Sequence, residues 1–65
     1  MDDLRQGDVV VIRPSDDWPE HLFEVDETFE DCISGHAITG PLAGVYGEPD
    51  RELIDRVAYR AARSA

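Results

Sequence analysis

The sequence predicts an α+β fold: a small, bent, mostly antiparallel sheet of three to five strands, or a partly closed barrel, with a C-terminal helix along one side. Three observations predict it. Residues 22–40 alternate apolar and polar side chains around a reversal, as a half-buried hairpin does. Val9-Val10-Val11-Ile12 is a short β-branched run. Leu53, Ile54, Val57, Ala58, Ala61 and Ala62 recur at the spacing of one helical face.

The elements follow in chain order as one domain. Met1–Gln6 reads as a flexible leader, and residues 7–48 as the β-rich core. Gly7-Asp8 opens the first strand, which Arg13-Pro14 ends because proline has no N–H to give a ladder. Residues 14–21 form a loop with two prolines, a Ser/Asp turn and three acids, and Trp18 sits in its middle. Trp18 either folds over one end of the core or stands out as an anchor for a partner.

In the hairpin, Phe23, Val25, Phe29 and Ile33 share one parity and are expected to face the core together. Glu27 and Asp31 break that parity. A β-bulge near Glu27 accounts for this, or else the strand ends at Phe29 and Glu30-Asp31-Cys32 turns. Ser34-Gly35 is a second candidate turn, so the reversal falls within Glu30–Gly35 and the return strand near His36–Thr39. Gly40-Pro41 breaks that strand. The Gly/Pro-rich stretch from Pro41 to Pro49 holds one short strand around Ala43–Tyr46.

Asp50 then caps a helix over residues 50–63, with Glu52 in its first turn and a Glu52–Arg56 pair four residues apart. The competing reading makes Glu52–Val57 a closing strand followed by a tail.

The Gly7-Asp8-Val9-Val10-Val11-Ile12 start, the acidic Pro-containing loop and the Phe23–Ile38 hairpin resemble the small SH3-like barrels of the KOW and Tudor types. The resemblance covers residues 7–48. It implies a binding platform that uses aromatic side chains at one end of a barrel, a part that Trp18 and Tyr46 match by position. The C-terminal helix and the acidity depart from that pattern.

Charge narrows the function further. The chain of 65 residues carries a net charge of −9. Residues 1–50 hold thirteen acids against Arg5 and Arg13, whereas residues 51–65 hold four arginines against Glu52 and Asp55. Such a surface repels phosphate, which disfavours direct nucleic-acid binding. No apolar run reaches the roughly 18–20 residues of a membrane span, and the Met-Asp-Asp-Leu start is not that of a signal peptide. The single cysteine, Cys32, fits a reducing compartment, so a cytoplasmic location is expected. So short a chain buries only about 60% of its unfolded surface, which makes a homodimer an open option.

No catalytic, cofactor or metal site is expected. His21, Cys32 and His36 match no zinc spacing. A Cys32–His36 nucleophile–base pair would need an orienting group and a pocket. The acids Asp16, Asp17, Glu20, Glu24, Asp26, Glu27, Glu30 and Asp31 lack the pattern of a calcium loop and read as a solvated face. The expected role is that of a non-enzymatic module binding a protein partner. Its candidate contacts are Trp18, Tyr46, Asp16 and Asp17, with Arg56 and Arg60 in an arginine stripe that continues to Arg63. The alternative is an acidic mimic of a nucleic-acid backbone that inhibits a DNA- or RNA-binding protein.

Overall fold

The structure, a computed structural model, describes residues 4–61. Five strands, β1 (Val9–Ile12), β2 (His21–Thr28), β3 (Ile33–Ala37), β4 (Tyr46–Gly47) and β5 (Ile54–Tyr59), form one antiparallel sheet in the order β4-β3-β2-β1-β5. β4 and β5 are its two edges, so the sheet is open rather than closed into a barrel. The only helical element among the described residues is a 3-10 turn at Arg51–Leu53.

The expected α+β class and its C-terminal helix are therefore corrected: the fold is all-β, and β5 occupies the place given to the helix over residues 50–63. The reason lies in β1. Val10, Val11 and Ile12 are buried, so the backbone N–H and C=O groups on the edge of β1 away from β2 need partners other than water. β5 supplies the second ladder, setting Ile12 opposite Ile54 and Val10 opposite Val57. Ile54 and Val57 thereby pack on the core. An isolated helix of this length is marginal in water, so the ladder and the burial together win over propensity. Asp50 makes no side-chain cap, and Arg56 meets Asp55 rather than Glu52. Part of the helical stripe, Ala62 and Arg63, lies outside the described residues.

The hairpin exists, with its details shifted. β2 gains one residue on β3 between Val25↔Gly35 and Glu27↔Ser34, which is the bulge that the broken parity at Glu27 required. The chain reverses at 29–32, where the Phe29 N–H donates to the Cys32 carbonyl at 2.8 Å. Phe29 is consequently 46% exposed, not inward with Phe23 and Val25. The return strand starts at Ile33, so Ser34-Gly35 lies within a strand, not in a turn. Gly35 is there for space: a Cβ would sit 1.9 Å from the Glu24 carbonyl oxygen across the ladder. The short strand expected around Ala43–Tyr46 is Tyr46–Gly47, because Ala43 and Gly44 complete a tight turn.

Leu4, Val10, Ile12, Phe23, Val25, Ile33 and Ala37 form the core, with Leu42, Ile54 and Val57 packed against it. Fully burying a side chain of this size contributes roughly 1.5–3 kcal/mol. Leu4 belongs to this core, so the expected leader is anchored from that residue on. Asp8 anchors it further. Its carboxylate is fully buried and accepts the Arg5 N–H at 3.0 Å, the Ala61 N–H at 2.7 Å and the Arg60 guanidinium at 3.3 Å.

Candidate interaction groove

One groove of about 300 Å³ opens at the end of the sheet where the 14–20 loop meets β4 and the 3-10 turn. Its lining reaches the core at the buried residues Ile12, Phe23 and Ala37, with half-buried Leu42 beside them. Around it stand Arg13, Ser15, Trp18 and His21 from the end of β1 and the loop into β2, and Val45, Tyr46, Glu48, Pro49 and Leu53 from the segment between β3 and β5. The volume matches the lower end of small-molecule pockets, or one to two large side chains.

Local chemistry places these residues. Ser15 and Trp18 close a tight turn, the Ser15 N–H donating to the Trp18 carbonyl at 2.8 Å and the Trp18 N–H to the Ser15 hydroxyl at 3.3 Å. This small polar clasp holds the indole at 44% exposure, half over the core end and half in solvent. The His21 ring contacts the Pro19 carbonyl through Nδ1 at 2.9 Å, which stiffens the entry into β2. Between β3 and β4, Ala37 and the 42–45 turn exchange backbone hydrogen bonds, Gly44 N–H to Ala37 at 2.7 Å and Ala37 N–H to Val45 at 3.1 Å. That exchange delivers Tyr46 to β4 with its ring 62% exposed. The Tyr46 hydroxyl donates to a Glu48 carboxylate oxygen at 2.9 Å, and this bond holds the phenol above its ordinary pKa of 10.0.

Of the residues singled out from the sequence, the fold brings Trp18 and Tyr46 to the same groove. Asp16 and Asp17 are exposed between two of its lining residues, Ser15 and Trp18. Arg56 and Arg60 do not line it. With Arg56 on β5 and Arg60 just beyond it, they no longer form a helical stripe: Arg56 stands opposite Val11 and meets Asp55, and Arg60 reaches the buried Asp8. Sequence reasoning missed Leu53, Pro49 and Val45 as groove residues, since they were assigned to a helix face, a Gly/Pro-rich stretch and a short strand. It also missed Asp8, for which the only signal is an acid directly ahead of an apolar run.

The remaining polar groups are spread out. His36 meets Glu24 across the β2–β3 ladder at 3.4 Å, and Cys32 bridges to Asp50, so Cys32 and His36 do not face one another across the turn. Among the described residues, no group of three His, Cys, Asp or Glu side chains could hold a metal ion. No helix among them is long and apolar enough to cross a membrane.

Comparison with family models, with curated proteins and with solved structures finds no match to this chain.

Proposed function

We propose that this protein is a non-enzymatic interaction module that docks a protein partner in the groove between Trp18 and Tyr46, in the manner of the small SH3-like domains that residues 7–48 resemble. The observation that supports the reading is the convergence of two exposed aromatic side chains, Trp18 from a loop and Tyr46 from β4, on one groove that reaches the core. Aromatic residues over an apolar floor with a polar rim are the usual make-up of an interface centre.

Affinity capture from the native host, run in parallel with the wild-type chain and with Trp18→Ala, tests it. A partner held by the first and released by the second supports the module. Loss of a hot-spot tryptophan costs at least about 2 kcal/mol, or roughly thirtyfold in affinity, and that loss persists at high salt.

The second reading, an acidic mimic of a nucleic-acid backbone, draws on the exposed run Asp26, Glu27, Glu30 and Asp31 at the far end of the β2–β3 hairpin. It predicts the opposite pattern: capture that ignores Trp18→Ala, falls steeply with salt and is abolished by neutralising Asp16, Asp17, Glu24 and Asp26 together.

A further inference from the structure

The groove is apolar inside and acidic around its edge. Glu48 lines it; Asp16 and Asp17 lie between its lining residues Ser15 and Trp18, Glu20 precedes His21, and Asp50 and Glu52 adjoin Pro49 and Leu53 in the chain. All six are exposed. Arg13 lines the groove and Arg51 adjoins it in the chain, and both are already engaged. Arg13 meets Asp55 at 3.3 Å and the Glu52 carbonyl at 3.3 Å, and the Arg51 guanidinium donates to the Phe29 carbonyl at 2.8 Å. Negative charge around an apolar channel creates a field that selects the sign of what enters it.

Resting on the module reading above, we propose that the occupant is an extended, positively charged segment of a partner protein. It inserts one large apolar side chain against Phe23 and Ala37 beside Trp18 and sets lysines or arginines against these carboxylates. The groove's volume suits one such anchor rather than a folded surface. The exposed carboxylates add association rate and sign selection, and the anchor supplies most of the affinity.

A displayed library of random peptides, selected against the full-length chain, tests this without knowledge of the natural partner. Enriched peptides are expected to carry net positive charge around one aromatic or aliphatic residue. Binding of a synthesised winner is expected to be lost in Trp18→Ala and in Tyr46→Ala. It should weaken about tenfold when Asp16, Asp17, Glu20 and Glu48 are replaced together by their amides, since exposed charge pairs contribute little singly and four carboxylates are removed at once. Thermal unfolding of each variant confirms that it is folded. Winners of neutral or acidic composition that still depend on Trp18 overturn the charge assignment and leave the module reading standing. Basic winners that ignore both aromatic substitutions overturn the two together. A library that yields no binder overturns the proposed occupant.

Discussion

The carboxylate of Asp8, with no exposed surface, accepts the backbone N–H of Ala61 at 2.7 Å. Residues from the two ends of the described chain are thus joined by one buried acid. The same side chain accepts the Arg5 N–H, so it closes the turn before β1 while holding down the segment after β5. An anion buried in this way is stable only because donors converge on it.

Asp8→Ala is therefore expected to cost about 2–4 kcal/mol, because it removes the fully buried acceptor that holds the Arg5 and Ala61 N–H groups. Arg60→Ala is expected to cost less, since its side chain is 51% exposed and its pairing with Asp8 is screened by solvent. Urea denaturation of both variants checks the order. Equal losses would show that the guanidinium, not the backbone clasp, neutralises the acid.

Gly35 and Gly44 make a contrasting pair. Alanine at Gly35 places its Cβ 1.9 Å from the Glu24 carbonyl oxygen, so the β2–β3 ladder must part; a loss of about 3 kcal/mol or more is expected. Alanine at Gly44 meets nothing within 4 Å but sits at φ +86°, which costs on the order of 1–2 kcal/mol. Melting temperatures that fall equally for the two would contradict the crowding at Gly35.

Removing residues 51–65 strips β5 from β1. The expected result is a chain without a cooperative unfolding transition, because the second edge of β1 and the core side of Ile12 lose their cover. Far-ultraviolet circular dichroism and a denaturant titration read this directly. A truncated chain that keeps a cooperative transition would show that β5 is dispensable.

Tyr46 titrates above its ordinary range because neutral phenol donates to Glu48. The folded pKa is raised, so the stabilisation is fully present below the unfolded value of about 10 and disappears as pH rises through the folded value. Glu48→Ala is expected to bring the Tyr46 midpoint down toward 10. Tyrosinate absorbance, assigned against Tyr46→Phe to separate it from Tyr59, measures the shift; an unchanged midpoint would mean that the bond does not form in solution.

Much of the sheet was legible in the residues themselves. Val9–Ile12 reads as a buried strand because four consecutive β-branched side chains leave little else open to it. Phe23 and Val25 read as inward because a strand alternates its faces, and the misplaced Glu27 signalled the bulge. Within the site, Trp18 and Tyr46 stood out as large aromatics in polar, loop-forming stretches. Nothing local says that they meet, since the 14–20 loop and β4 come together only through the strands between them.

What the sequence by itself determined, then, is the set of strand-forming segments in the first two thirds of the chain and the acidity around Trp18. Both follow from side-chain shape and charge, which act locally. Only the tertiary structure decided the fate of residues 54–59: their apolar spacing satisfies a helix, but the unfilled edge of β1 offers a ladder of hydrogen bonds and a core to cover. The same choice moved Arg56 and Arg60 off a common stripe and turned Leu53 toward the groove. Pairing between distant strands sets those positions, and its energy depends on a partner surface that no short window of sequence contains.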